Sequence, residues 1–580
     1  MRVQAARGRP ADNSSLRASY IAIARSYVTI SRLSRQPLHQ RQHPDTTPKP
    51  PHLHHHTRTV THVRLNPAPH ERTMRVLRRT TPCDAGRSGC RLRRQRCDPA
   101  TESPMSSSVS DAGALPPPRY PDYRIISLIL ACAIFMEQMD ATVLATALPT
   151  LAHDFGVAAP AMSIAMTSYL LALAVLIPAS GAIADRFGLR RVFGASIWVF
   201  VGGSILCSLA DSLPTMVAAR VLQGAGGAMM APLGRLILLR TVERRHLVSA
   251  MAWTLVPAFI GPMLGPPLGG FFVSYLDWRW IFYINVPIGI AGFLLVRRFI
   301  PDIPTESAPA RFDLRGFVLC GTALGCLLFG LEMVSQENGI GKASWLLAIG
   351  GGAALGYLWH ARHHPAPLLD LSLLRIDSFR LSVIGGALMR ITQGAHPFLL
   401  PLLFQIGFGM SAAHSGRLIL ATALGALLMR SITPQLLRRF GYRNSLIGNG
   451  VLASLGYMVC AFFRPDWPHA LMFGLLLCCG AFMSFQFAAY NTIAYENVPA
   501  SRMSRASSLY TTLQQLMLSV GVCAGAMILK LAMLAGDHIQ PQQRDFSLAF
   551  CVVSLISLSA TWWHLRFDKH AGQEMSGHRA

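Results

Sequence analysis

The sequence predicts an all-α integral membrane protein with fourteen transmembrane helices, arranged as two six-helix bundles plus two additional helices. Three observations carry this. Of the 580 residues, 51% are hydrophobic and 14% charged, with a mean hydropathy of +0.36, a profile that excludes a soluble globular protein. From Ile125 onward the chain falls into continuous apolar runs of about 20 residues, the length that crosses a bilayer as a helix, without the shorter alternating segments of a barrel. The string RFGxR occurs at Arg186–Arg190 and again at Arg439–Arg443, 253 residues later. That spacing fits a duplicated six-helix unit with two helices inserted between the copies.

Residues 1–120 precede these runs and hold 21 Lys/Arg against 7 Asp/Glu, more than half of the net charge of +25. They are rich in Arg, His, Pro, Ser and Thr and lack an apolar period, so a disordered basic extension is expected. Two tracts, His52–His56 and Arg91–Arg96, and the thiols Cys83, Cys90 and Cys97 suggest a nucleic-acid arm or a metal site. The arginines have no folded module to aim them, and the cysteine spacing differs from the short ligand pairs of zinc sites. Neither nucleic acid nor metal is therefore expected as a partner. No apolar segment with a cleavage site marks a secretory signal, although the Arg/Ser-rich start imitates an organellar transit peptide. Translation is expected to begin at Met105, whose polar lead runs into the first apolar segment. The ratio of 49 Arg to 4 Lys is what GC-rich codons produce, so the charge says little about partners.

The spans are predicted at 125–148, 161–184, 192–211, 213–239, 247–274, 280–299, 315–334, 344–361, 378–405, 412–432, 444–463, 468–493, 506–534 and 545–566. These give an N-terminal bundle over 121–300, extra helices and linkers over 301–376, a C-terminal bundle over 377–568 and a tail over 569–580. Alternate gaps hold 18 basic residues, among them Arg186, Arg190, Arg191, Arg240, Arg297, Arg298, Arg438, Arg439 and Arg443. The other gaps hold Arg279, Lys342, Arg464 and Arg544. Basic residues mark the cytoplasmic side, so both termini are expected there. Trp278, Trp280 and Tyr283 suit the interfacial belt on the opposite side.

Five motifs follow in order. The first span ends in MDATVLATALP, residues 139–149. GAIADRFGLRR runs from Gly181 to Arg191, RVLQGAG from Arg220 to Gly226, GPMLGPPLGG from Gly261 to Gly270, and WRWIFYINVPIG from Trp278 to Gly289. Together they resemble the fourteen-span drug:proton antiporters of the EmrB/QacA type within the major facilitator superfamily, over nearly all of residues 120–568. The resemblance implies a multi-pass pump of the bacterial inner membrane that exchanges protons for hydrophobic or cationic compounds by alternating access. Its partners would be a small-molecule substrate, protons and the lipid bilayer, and it leaves a periplasmic adaptor and outer-membrane channel open. No cofactor is implied. A specific metabolite transported on the same scaffold is the nearest alternative. A membrane-tethered nucleic-acid binder using residues 1–104 is a remoter one. No GxxxxGK[ST], HExxH or GxSxG string occurs, which counts against an ATP-driven pump and an enzyme.

An ionisable group at mid-membrane costs about 2.5–3.5 kcal/mol on insertion scales and needs a partner, a wet cavity or a function. Glu137 and Asp140 stand three residues apart on one helix face, as a pair for proton coupling, one binding the proton and the other a cation or Arg220. Arg220 cannot lose its proton and can tune a nearby carboxylate. Gly181, Asp185, Arg186, Gly188, Arg190 and Arg191 resemble a cytoplasmic gate, and the resemblance implies that Asp185 and its basic neighbours brace the cytoplasmic ends of the two halves when the cavity faces outward. Gly261, Gly265 and Gly269, with Pro262, Pro266 and Gly270, form a small-residue stripe expected to make a leak-resistant contact between halves. Gln223, Arg390, Gln405, Gln514 and Gln515 are candidates for lining the cavity. Glu332 and Lys530 lie nearer span ends, where snorkelling accounts for them. The nine cysteines from Cys132 onward read as small apolar packing residues.

Overall fold

The computed structural model describes residues 122–243, 246–303, 312–334, 340–537 and 540–576. The expectations for residues 1–120, including the start at Met105, lie outside these, as do Arg244, Arg245 and Arg311.

Every regular element among the described residues is helical. The first half comprises α1 (Tyr123–Val143), α2 (Leu148–Asp154), α3 (Ser163–Leu176), α4 (Ser180–Phe187), α5 (Leu189–Ser208), α6 (Leu213–Thr241), α7 (Leu247–Tyr275), α8 (Trp280–Tyr283) and α9 (Asn285–Phe299). Two helices follow, α10 (Leu314–Val334) and α11 (Ile340–His363). The second half comprises α12 (Asp377–Leu402), α13 (Ala412–Val459), α14 (His469–Ile493), α15 (Met503–Ala535) and α16 (Gln543–His564), with the short α17 (Gln573–Ser576) after it. Ten helical segments among the described residues are long and apolar enough to cross a membrane by length and composition.

Local chemistry sets several boundaries. The Asp122 carboxylate caps α1 by accepting the Arg124 N–H at 3.0 Å, and α6 opens with a reciprocal Ser212–Thr215 capping box and a proline in its first turn. The predicted second span is divided: a 3₁₀ turn at Ile177–Ala179, containing Pro178, separates α3 from α4. The glycine of RFGxR does the same work in both copies. Gly188 at φ +91° turns α4 into α5, and Gly441 at φ +72° breaks the 48-residue α13 into two helices. Only glycine enters that region without steric cost.

The apolar packing differs at the two ends of the bundle. At the Arg-poor end one continuous cluster joins the halves: Val143, Leu148, Met162, Trp278 and Phe282 pack in the same core as Phe398, Phe404, Leu418, Phe463 and Phe546. Toward the Arg-rich end the first half keeps its own core around Leu130, Phe193, Leu233 and Val296, and the second around Met389, Tyr442, Phe485 and Phe567. The halves are thus sealed together at one end and separately packed at the other.

Helices α10 and α11 dock on the second half through Cys320, Tyr357, Leu373, Phe379, Leu509 and Tyr510. Asp313, just before α10, clasps this unit: it accepts from the Gly316 N–H at 2.9 Å, the Leu368 N–H at 3.1 Å and His360 Nε2 at 2.8 Å. Burial pushes the Asp313 carboxyl upward, but these hydrogen bonds outweigh it and hold the group below the usual carboxylate range. Donor atoms of Asp313, His360 and His364 lie within 4.8 Å of one another. Of the three, Asp313 and His360 are joined by the hydrogen bond above, while His364 accepts the Ala366 N–H and stacks its ring on that of His360 at 5.0 Å.

Candidate functional site

The fold concentrates polar side chains inside the first half, where α1, α5, α6 and α9 meet. Asp140 on α1 and Arg220 on α6 are 0% and 1% exposed, with Arg220 Nη1 donating to Asp140 Oδ2 at 2.6 Å. Gln223, one turn along α6, donates to Asp140 Oδ1 and to Ser204 Oγ, both at 2.7 Å. Asn285 Nδ2 adds bonds to the same two oxygens at 3.1 and 3.2 Å. Arg220 Nη1 also donates to Gln223 Oε1 at 2.6 Å, and its Nε donates to the Ala165 carbonyl at 3.1 Å. Its guanidinium sits 4.3 Å from the Tyr169 ring centre, within range of the cation–π attraction. Each helix contributes at a fixed period: Arg220 and Gln223 share a face because they are three residues apart. A buried ion pair this fully hydrogen-bonded offsets its own desolvation.

Glu137, one turn from Asp140, takes no part in this network. It is 6% exposed, lies against α6 with its Cγ near Gly227, and its Oε2 has no hydrogen-bond partner among the described residues. Tyr169 approaches its backbone carbonyl at 3.5 Å. The two carboxylates therefore differ in kind, Asp140 compensated and enclosed, Glu137 buried with an orphan oxygen.

The gate residues sit at the Arg-rich end, and their ion pairs stay within the first half. Asp185 is 3.7 Å from Arg240 at the end of α6, and Arg190 is 3.2 Å from Asp302 after α9. Arg186 lies against the neighbouring Phe187 ring. No ion pair among the described residues links Asp185, Arg186, Arg190 or Arg191 to the second half, and at this end the halves do not share a core; the brace is expected only when the cavity faces outward.

The small-residue stripe also faces differently from expectation. Gly261, Gly265 and Gly269 press on α1 inside the first half: an added methyl would lie 2.9 Å from the Phe135 carbonyl, 2.1 Å from Thr142 Oγ1 and 2.4 Å from the Val143 carbonyl respectively. The contact between halves is made by the neighbouring face of α7. Gly270 abuts the Ala412 carbonyl, and the Pro266 carbonyl fills the space beside Gly416. A four-residue period holds three glycines in line, and Pro266 and Gly270 are each one residue further round. Pro262 lies inside the same helix.

In the second half Arg390 is 4% exposed and donates through Nη2 to Tyr510 at 2.8 Å and Gln514 at 3.3 Å. Gln405 reaches across the halves to the Thr146 carbonyl at 2.9 Å, and Gln515 is half-buried on α15. Sequence reasoning missed several members. Ser204 carries no sequence signal, and Asn285 stands unremarked inside the WRWIFYINVPIG string. The buried cluster of Asn449, Gln486, Tyr490 and His564 in the second half was also unforeseen. Glu332 is not a snorkelling residue: it is 4% exposed and accepts from Ser163 on α3 and Cys523 on α15. Although two residues from the end of α10, it is covered because that end packs into the seam between the halves.

Comparison with known proteins agrees with this architecture. Residues 130–522 match the family model described as Major Facilitator Superfamily. The "Putative multidrug resistance protein MdtD" of Salmonella newport (strain SL254) is 38% identical over 418 residues, 71% of this chain and 87% of the relative. The protein of the same name from Klebsiella pneumoniae (strain 342) is 38% identical over 70% of this chain and 85% of its own. The POT family transporter PepTSo superposes with a TM-score of 0.57 at 12% identity, covering 77% of this chain and 98% of that one, a likeness of fold alone. On the family model and the MdtD identity, the chain belongs to the Major Facilitator Superfamily, a family of membrane transporters and not of enzymes.

Proposed function

We propose that the protein is a fourteen-span secondary pump that exports hydrophobic or cationic compounds in exchange for protons, as the name of its MdtD relatives suggests for multidrug resistance. Fourteen spans follow if the ten apolar segments are joined by α7, α11 and α12, and if α13 counts twice on either side of Gly441. The 18 basic residues of alternate gaps put the Arg-rich end and both termini in the cytoplasm. In that frame the cores describe an inward-facing state, sealed on the outer side. The gate around Asp185 is then disengaged, and outward opening would bring it against the second half.

The observation that carries the reading is the inequality of two acids one turn apart in a helix bundle. Asp140 is paired with Arg220 and held by side chains from two other helices, α6 and α9, so it fixes the geometry. Glu137 has an oxygen with no hydrogen-bond partner among the described residues, on a buried face of α1 against α6, and an ionisable group at that depth needs a partner, a wet cavity or a function. It is the group we assign to bind and release the coupled proton, with Arg220 and Asp140 as the fixed charges beside it. One proton moving through 100 mV supplies about 2.3 kcal/mol, and each tenfold of concentration requires about 1.4 kcal/mol. One net charge per cycle thus sustains a gradient of roughly 40-fold.

The test is ethidium flux in proteoliposomes under an imposed pH gradient. Wild type should accumulate ethidium against its gradient, and Glu137→Gln should retain exchange of ethidium for ethidium while losing the response to pH. Unimpaired pH-driven flux in Glu137→Gln would remove the proposal.

A further inference from the structure

Arg390 is a buried charge that the proton-coupling scheme does not use. It lies mid-way along α12, is 4% exposed, and no ion pair among the described residues includes it. Its Nε has no acceptor among the described residues. The shortage is built into the sequence: between residues 378 and 536 the acids are Asp466 and Glu496, both in connections between helices. The second half therefore places a cation within its helices and offers no anion at that depth. A guanidinium cannot discharge itself by losing a proton.

The groups described around the guanidinium are neutral. Tyr510 and Gln514 hold Nη2, and the guanidinium lies 4.8 Å from the Tyr510 ring centre and 5.9 Å from that of Phe487. These neutral groups orient the side chain without neutralising it. Nη1 lies over Gly386, where an added methyl would come within 2.5 Å of it, so glycine there leaves the guanidinium its room. Gln514 and Gln515 on α15 are partly exposed.

We propose that Arg390 is the docking group for an ionised carboxylate on the transported compound, flanked by Tyr510 and Phe487 for the compound's aromatic or apolar body. The inference rests on the efflux reading and names the cargo class: amphiphilic compounds with a carboxylate, beside or joined to a cationic portion. A carboxylate gains charge-assisted, geometrically matched hydrogen bonds from a guanidinium that an amide of the same shape does not.

The experiment is equilibrium binding to the purified full chain in detergent, with 1-pyrenebutyrate and its uncharged amide as probes, read by fluorescence anisotropy. Wild type should bind the carboxylate about tenfold or more tightly than the amide. Arg390→Gln should abolish that preference, Arg390→Lys should keep part of it, and Gly386→Ala should reduce it. Equal affinity of wild type for the two probes overturns the proposal even if no variant folds, as does a preference that survives Arg390→Gln. Because binding needs no gradient, the efflux reading can fail on ethidium flux while this result stands. Conversely, pH-driven ethidium flux without carboxylate preference sinks this inference and leaves the efflux reading in place.

Discussion

Replacing Asp140 by Asn is the most informative single change in the first half. The substitution keeps the size of the side chain but removes the charge opposite Arg220 and turns one acceptor oxygen into a donor. That new NH₂ would face Arg220 Nη1 on one side, or Gln223 Nε2 and Asn285 Nδ2 on the other, all donors. Removing one partner of a buried pair costs about 3–5 kcal/mol, because the remaining charge is left uncompensated. Arg220→Met should cost less, since Asp140 retains the donors Gln223 and Asn285, whereas Arg220 without Asp140 keeps no anion beside it. The double variant should be more stable than Asp140→Asn alone, a coupling measured by a double-mutant cycle. Unfolding in mixed micelles, followed by tryptophan fluorescence, supplies the free energies. If Asp140→Asn unfolds within about 0.5 kcal/mol of wild type, or if the two substitutions simply add, the buried pair does not hold the bundle as described.

Other expectations follow from single contacts. Gly269→Ala should cost about 1–3 kcal/mol and stay unrescued by Thr146→Ala, because the Val143 carbonyl remains in the way once Thr146 Oγ1 is gone, whereas Gly265→Ala should be partly rescued by Thr142→Ala, which removes the closest atom. Thermal unfolding of the single and double variants reads this. Gly188→Ala and Gly441→Ala should each lower stability by about 1–3 kcal/mol while leaving membrane insertion normal by fractionation, since only the turn is strained. At the Arg-rich end, burial raises the Asp370 carboxyl, but bonds from Ser372 and Arg502 outweigh it and hold the group below its usual value. With the folded value depressed, Asp370 contributes stability above the unfolded value near about 4 and loses it as pH falls through the folded one. Asp370→Asn should therefore unfold more easily at neutral pH and approach wild type in acid.

How much of this could be read from the sequence depends on the range of the interaction. Span positions follow from local apolarity, and 280–299 coincides with the helical segment Trp280–Phe299. The duplicated RFGxR glycine is legible because a positive φ is a property of one residue. The direction in which a stripe faces is not local: Gly261, Gly265 and Gly269 give the period but not the partner, and the structure supplies α1 where the other half was expected. Charge balance also needs three dimensions. Asp140 and Arg220 are 80 residues apart and meet, while Glu137, one turn away from Asp140, does not join them. Glu332 looked interfacial by distance from its helix end and is covered by Ser163 and Cys523 from two other helices. Ser204 and Asn285 are ordinary letters until the helices close around Asp140.

The central claim is exchange of a proton for a solute through one carboxylate, and the direct measurement is proton movement itself. Protein reconstituted in sealed vesicles holding a pH-sensitive dye, with voltage clamped by potassium and valinomycin, should acidify or alkalinise the lumen when an ethidium gradient is imposed. The direction should be opposite to ethidium flow, and Glu137→Gln should abolish the signal. Ethidium flux in wild type with no accompanying change in lumenal pH, or an undiminished proton signal in Glu137→Gln, would contradict it.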